Sequence, residues 1–222
     1  MKHAVLFLLL GGLMCHLAIK QGNWCYLMLW PSISCFLLSI GYLDYGARVF
    51  GKRPDGTIPI WSKVLHGPYR LYALCVWRLL CILIRENPTD KISDDLVLGR
   101  RLQAHELPEG VANYVDLTAE LEDPVEIRGS ASYLTLPILD GSVPPADALH
   151  SFISQLRPGV TFVHCAQGHG RTGLFAMAYL FQKGRIRSFD EGWALLKKGR
   201  PGVFLNSRQK RFIRDYLLND WH

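Results

Sequence analysis

Thr161-Phe162-Val163-His164-Cys165-Ala166-Gln167-Gly168-His169-Gly170-Arg171-Thr172-Gly173 decides how this 222-residue chain is read. An apolar strand-like run over residues 160–164 enters a glycine-rich turn, and a helical pattern over 171–183 leaves it. A turn of this kind aims successive backbone N–H groups into one concavity, and the helix that follows adds the positive end of its dipole. The result is an anion cradle. Gly168 and Gly170 let the backbone close tightly, and Arg171 on the far rim offers a planar fork for two oxygens of a phosphoryl group. Cys165 lies at the bottom, where a positive field favours thiolate over thiol and leaves a nucleophile at neutral pH. A bare Cys-x5-Arg is weak evidence. Requiring His164, Gly168 and Gly173 as well lowers chance occurrence to about 10⁻⁴.

Outward from this loop, residues 93–222 alternate short strand-like stretches with amphipathic helical ones, which predicts an α/β domain. Leu96-Val97-Leu98-Gly99, residues 111–117 and residues 133–137 read as further strands. Residues 145–156, 171–183, 189–199 and 206–219 read as helices, with Ser188 and Asn206 as N-caps and Pro201 stopping the third. Of the six cysteines only Cys165 belongs to this half, so the half has no internal disulfide and reads as facing a reducing compartment.

His164, Cys165, Arg171 and Thr172 fill every fixed position of a loop of the form H-C-x5-R-[S/T]. In this the chain resembles the cysteine-dependent protein tyrosine phosphatase superfamily, and within it the dual-specificity phosphatases. The likeness covers residues 93–222 and implies a dual-specificity phosphatase fold, a central sheet flanked by helices. It implies that Cys165 attacks phosphorus to form a phosphocysteine and that Arg171 binds substrate and stabilises the transition state. It also implies that the Thr172 hydroxyl helps the thiolate leave. Ala166, Gln167, Gly168, His169 and Gly170 would line the phosphate cradle with Arg171, His169 at its rim, and no metal or cofactor is implied. The family also needs a general acid in a segment like L-P-x-x-D. Leu136-Pro137-Ile138-Leu139-Asp140 supplies one 25 residues before Cys165 (165 − 140). Asp140 would protonate the departing oxygen, and its carboxylate would then activate the hydrolytic water. Asp147, a weaker candidate, falls in the helix that follows. Asp95-Leu96-Val97-Leu98-Gly99, residues 113–120, and Arg200-Pro201-Gly202-Val203 with Asn206 resemble other family segments and bear on fold more than on chemistry.

The N-terminal part is different in kind. Residues 4–19 are apolar apart from His16, residues 24–43 form a second apolar run, and Lys20-Gln21-Gly22-Asn23 joins them. At 1.5 Å per residue twenty residues cover a hydrocarbon core of about 30 Å, so the pair predicts a transmembrane helical hairpin over residues 1–45. Met-Lys-His before an apolar run also resembles a signal peptide, but no small-x-small cleavage site precedes the second run. Residues 1–92 carry ten basic and four acidic side chains, and residues 93–222 carry fifteen of each. All of the formal charge of +6 therefore lies in the apolar half, the pattern of an anchor with a basic flank and not of a nucleic-acid-binding surface. Arg48, Lys52, Arg53 and Lys63 after the second run place both hairpin ends, and the domain, on the cytoplasmic side. Residues 46–92 read as a basic juxtamembrane region. Within it residues 71–84 are short for a span and carry Arg78 in their middle, and they read as an interfacial helix, with Arg70, Arg78 and Arg85 at head groups and Leu71, Leu74, Trp77 and Leu80 in the acyl boundary, or as a helix packed on the hairpin or the domain; a third crossing here, the remaining alternative, would invert the topology.

These readings predict an integral membrane phosphatase whose partner, besides the membrane, is a phosphorylated substrate. The anchor favours a phospholipid phosphate, such as phosphatidylglycerophosphate or a phosphoinositide. Ala166, Gln167 and His169, where phosphoinositide phosphatases carry lysines, leave a Tyr/Ser/Thr phosphoprotein open. A catalytically inactive phospho-binding scaffold is the third reading, and the complete Cys, Arg and Asp set speaks against it.

Overall fold

The computed structural model describes residues 2–84, 86–130 and 132–219. Arg85, one of the three arginines assigned to the third apolar stretch, lies outside them. Helices α1 (Lys2–Gln21), α2 (Leu29–Ile40), α3 (Ile60–Leu65) and α4 (Gly67–Leu83) precede a sheet of β1 (Thr89–Ser93), β2 (Leu96–Arg100), β3 (Val111–Thr118), β4 (Tyr133–Ile138) and β5 (Val160–Cys165). Helices α5 (Val125–Arg128) and α6 (Ala146–Ser154) are interleaved with the strands, and α7 (Gly170–Gln182), α8 (Phe189–Gly199) and α9 (Ser207–Leu218) follow them.

The strand order is β1-β2-β5-β3-β4. β1 runs antiparallel to β2, and the remaining pairings are parallel. Alternation along the strands sorts two apolar layers. Val115, Leu117 and Val163 face a core that closes on α6, α7, α8 and α9, while Tyr114, Tyr133 and Phe162 gather with Leu102 and Ile127 on the other side. β5 is central, so Cys165 at its C-terminal end sits mid-sheet, where the loops after parallel strands converge. Every residue from Arg171 to Leu180 of α7 is buried, and a Cβ at Gly173 would press into Val203. Both expected N-caps form: Ser188 Oγ accepts the Glu191 N–H at 3.2 Å, and Asn206 and Gln209 cap each other reciprocally at 2.9 and 3.1 Å. β1 and α5, which have weak periodicity, emerge only in the folded chain.

The two apolar runs form an antiparallel pair. Buried Ser32 donates to Gly11 O at 2.8 Å and buried Ser39 donates to Ala4 O at 2.9 Å, bonds worth about 1 kcal/mol each. The second run is not one α-helix. A 3-10 turn (Asn23–Met28) precedes α2, and a π turn (Gly41–Tyr45) and a further 3-10 turn (Gly46–Phe50) follow it. Pro31 accounts for the first break, because its ring would meet the carbonyl four residues back in a continuous α-helix, whereas in the first turn of α2 it is tolerated. Lys2–Gln21 and Asn23–Phe50 are each long and apolar enough to cross a bilayer by length and composition. Leu6, Leu9, Leu13, Ile19, Leu27, Ile33 and Ile40 stand exposed along them.

Residues 46–84 are fastened to the sheet. The Lys52 side chain is fully buried, with Nζ 2.5 Å from Asp116 Oδ2, 2.8 Å from Thr118 O and 2.7 Å from Leu121 O. Lys63 pairs with Glu122 at 2.9 Å, and Arg70 Nε donates to Glu120 O at 3.1 Å. Half of the cations counted as a flanking charge bias, Lys52 and Lys63, thus meet carboxylates of the domain, leaving Arg48 and Arg53. In α4, Trp77 is 3% exposed and stacks under Arg101, 4.8 Å from the guanidinium carbon to the ring. The third apolar stretch therefore packs on the domain through Trp77, while Leu71, Leu79, Ile82 and Leu83 stay exposed.

Removing one member of a fully buried ion pair strands the other. Lys52→Met is expected to cost about 3–5 kcal/mol in denaturation of the full chain in detergent, and adding Asp116→Asn should restore part of it. A Lys52→Met variant as stable as the wild type would refute this role for the pair.

Candidate active site

β5 delivers Cys165, and the chain turns through Ala166, Gln167, Gly168 and His169 before α7 begins. Gly168 has φ +73°, and a Cβ there would overlap the Gly99 carbonyl on neighbouring β2. Only glycine fits both demands. Arg200, 1% exposed, donates Nε to Gly168 O at 3.0 Å and Nη2 to Gln167 O at 3.1 Å. Because peptides are planar and trans, carbonyls drawn toward Arg200 leave the N–H groups of Gly168 and His169 directed the other way. Among the described residues, the backbone N–H groups of Ala166, Gln167, Gly168 and His169 donate to no protein acceptor. Unpaired amides around a buried sulfur, with a helix N-terminus beside them, are what an oxyanion would satisfy.

Arg171 is 2% exposed. Its Nη1 and Nη2 grip Glu120 at 3.0 and 2.9 Å, and Nη1 also donates to Ile138 O at 3.0 Å. The motif alone assigns the whole fork to a phosphoryl group; the structure gives the outer edge to Glu120 and leaves Nε buried without a partner. Asp140, just after β4, has its side chain 69% exposed with Oδ1 3.4 Å from Arg171 Nη2. The following backbone is held by α9, with Asn206 Nδ2 on Gly141 O at 2.9 Å and Gln209 Nε2 on Ser142 O at 3.3 Å. Asp147 sits in the first turn of α6, outside the cavity lining. His169 is on the rim, Nε2 2.7 Å from Glu86 Oε2.

Burial pushes the Cys165 thiol up, but the Arg171 charge, helped by the neighbouring Thr172 hydroxyl and N–H, outweighs it and holds the thiol below its ordinary value. His164 lies behind the loop, fully buried. Nε2 faces Asp123 Oδ2 at 3.0 Å and Nδ1 faces Cys165 O at 3.2 Å. Both partners are acceptors, an arrangement that favours a proton on each ring nitrogen. Burial opposes that charge, yet Asp123 and Asp116 raise its pKa above the ordinary 6.5. Asp116, Asp123 and His164 bring potential metal-ligand atoms within 4.8 Å of one another, but Lys52 already supplies a cation to Asp116, and Tyr133 Oη donates to the same carboxylate at 2.7 Å.

Cys165, Ala166, Gln167, His169, Gly170, Arg171, Glu120 and Asp140 line one side of a cavity of about 330 Å³. Tyr69, Tyr72, Ala73, Val76, Trp77 and Leu80 of α4 line the other. Seven of the predicted site residues, Asp140, Cys165, Ala166, Gln167, His169, Gly170 and Arg171, therefore line the cavity, with Gly168, Thr172 and His164 outside its lining. A wider depression at the hairpin turn, lined by Asn23, Trp24, Tyr26 and Leu27, brings no charged group or nucleophile. Glu120 and Arg200 went unread as site residues, because a lone Glu or Arg in a fold-bearing segment shows its partner only in space. The α4 wall left a hint in its apolar run but no indication of what it would face.

Solved structures share this architecture. Human DUSP28 superposes with a TM-score of 0.52 at 18% identity over 60% of this chain and 97% of that one. PTPMT1 in complex with PI(5)P gives 0.51 at 19%, over 59% and 95%, and Tk-PTP in its active form 0.50 at 22%, over 59% and 95%. The fold of the globular half is that of the dual-specificity phosphatases. No protein-family model and no curated protein matches the sequence. The likeness spans nearly all of each solved structure, so about two-fifths of this chain has no counterpart in them.

Two measurements test these electrostatics. Alkylation of Cys165 by iodoacetate should titrate below the ordinary thiol value of 9.0, and Thr172→Ala should move the midpoint upward. His164, with its folded-state pKa raised, contributes stability that is fully present below pH 6.5 and lost as pH rises through the folded value. Melting curves above pH 6.5 should therefore fall more steeply for wild type than for His164→Asn.

Proposed function

We propose that this protein is a membrane-anchored, cysteine-dependent phosphoric monoester hydrolase acting on a phospholipid phosphate. The observation that carries the reading is a single cavity with an anion cradle around Cys165 on one wall and the apolar face of α4 on the other. A phosphate ester enters with its phosphoryl group on the free amides of residues 166–169 and the unpartnered Nε of Arg171. The Cys165 thiolate attacks phosphorus, the S–P bond forms and the P–O bond to the leaving group breaks. Asp140 hands its proton to that departing oxygen. The Asp140 carboxylate then takes a proton from water, whose oxygen attacks phosphorus. The S–P bond breaks, the Thr172 hydroxyl steadies the returning thiolate, and inorganic phosphate leaves. His164 fixes the Cys165 carbonyl from behind. Every proton and charge is accounted for by these side chains, so the scheme calls for no cofactor.

The choice of a lipid rests on the surroundings. Tyr69, Tyr72, Ala73, Val76 and Leu80 place apolar surface where the alcohol portion of the ester lies. The same helix presents Leu79, Ile82 and Leu83 outward, continuous in character with Trp61 and Val64 of α3 and the exposed flanks of α1 and α2. Such a surface suits a bilayer and suits poorly the solvated face of a soluble domain. PTPMT1, one of the structural neighbours, was solved with a lipid phosphate, PI(5)P. We assign residues 1–45 to a hairpin in the membrane, 46–92 to the connecting region that docks on the sheet, and 93–222 to the catalytic domain, held on the cytoplasmic side.

The test is phosphate release by full-length protein in mixed micelles, offering phosphatidylglycerophosphate, a phosphoinositide, a phosphotyrosyl peptide and a phosphothreonyl peptide. The lipids should be hydrolysed fastest, Cys165→Ser should abolish release, and Asp140→Ala should slow it about 10²- to 10⁴-fold. Faster release from a peptide would reassign the substrate to protein, and no release from any of the four would favour a phospho-binding scaffold.

A further inference from the structure

Asp140 has an exposed carboxylate on a held backbone, and one of the holds comes from outside the globular half. Tyr42, in the π turn that ends the second apolar run, donates its hydroxyl to the Asp140 carbonyl at 2.9 Å. Its ring is itself fixed by α1, stacked on Phe7 at 5.7 Å and 13° and tilted against His3 at 5.1 Å. The preceding residue, Leu139, is buried with Leu38, Val49 and Phe50 of the same segment. By contrast, among the described residues the Asp140 carboxylate has a single ionic contact, Arg171 at 3.4 Å. The side chain is thus aimed by its backbone, and the peptide leaving Asp140 is aimed by Tyr42.

We propose that Tyr42 is a positioning residue for the general acid, and that docking of the N-terminal hairpin on residues 138–141 is what makes Asp140 competent. This rests on the general-acid role proposed above. A proton donor must meet the leaving oxygen within hydrogen-bond reach, and a displacement of about 1 Å costs up to about 10²-fold. Without the hydroxyl, Leu139 and the α9 contacts still hold the loop, so the donor is misaimed and not removed. The hairpin then serves catalysis as well as attachment, because its ends, and not the globular half alone, complete the loop that carries the proton.

Leaving-group dependence separates this from a merely structural role. p-Nitrophenolate departs with little need of a proton, whereas phenolate needs one, so misaiming the acid slows phenyl phosphate selectively. Full-length Tyr42→Phe in detergent, which keeps the ring packing, should hydrolyse p-nitrophenyl phosphate within about twofold of wild type and phenyl phosphate about tenfold more slowly. Asp140→Ala should show the same selectivity, larger. Tyr42→Phe slowing both esters equally, or neither, would overturn the inference while leaving the general-acid role intact. Asp140→Ala without leaving-group selectivity would overturn the role of Asp140 itself, and this inference with it. Tyr42→Leu, which also removes the stacking on Phe7, should widen the gap between the two esters; a gap no wider than in wild type would likewise count against the hairpin's part.

Discussion

The bidentate pair between Arg171 and Glu120 is the contact on which the rest of the site depends. It joins the first turn of α7 to the segment after β3, and through Ile138 it reaches the end of β4. An arginine buried to 2% needs nearly all of its donors answered, since desolvation of an unpaired guanidinium costs several kcal/mol. Glu120 answers one edge, the Ile138 carbonyl answers part of it, and Nε is left over. That unmet donor lies next to a ring of unmet amides. The Arg171 charge also keeps the Cys165 thiol low against the effect of burial.

A second tier of buried polar groups fixes the loop from below. Arg200 holds the carbonyls of Gln167 and Gly168, and His164 holds that of Cys165. Asp123 and Asp116 flank His164 and favour its charged form, and Asp116 is shared with Lys52. The cluster therefore runs without a break from the N-terminal segment to Cys165. Networks of this kind tolerate little loss, because each member is satisfied only by the others.

The N-terminal segment and the globular half consequently function as one body. The hairpin ends pack on residues 138–141, Lys52 is buried under the sheet, and α4 closes the cavity over Cys165. Chain from both parts lines the same cavity, with the Cys165 loop and Asp140 from one and an apolar wall from the other. The basic excess of residues 1–92 takes on a second meaning here. Lys52 answers Asp116, and Lys63 and Arg70 both answer Glu122, so part of what resembles a field toward head groups is internal neutralisation.

Local chemistry made much of this legible beforehand. His164, Cys165, Arg171 and Thr172 lie within nine consecutive residues, so the turn that assembles them is short-range and the sequence alone determined the cradle, the strand before it and the helix after it. Ser188 and Asn206 cap helices through neighbours three residues away, and the apolar runs over residues 4–19 and 24–43 announce a helical pair by composition. What remained hidden is long-range. Glu120 finds Arg171 across 51 positions, Lys52 finds Asp116 across 64, Tyr42 finds Asp140 across 98, and Arg200 meets Asp90 across 110. Nothing in the neighbourhood of any of these residues encodes its partner, because burial and pairing are settled only when the sheet order brings β3, β4 and β5 side by side and the hairpin closes on them. The loop around Cys165 was therefore written in the sequence, whereas the hold on the Asp140 backbone, the free edge of the arginine and the apolar wall were decided by tertiary packing.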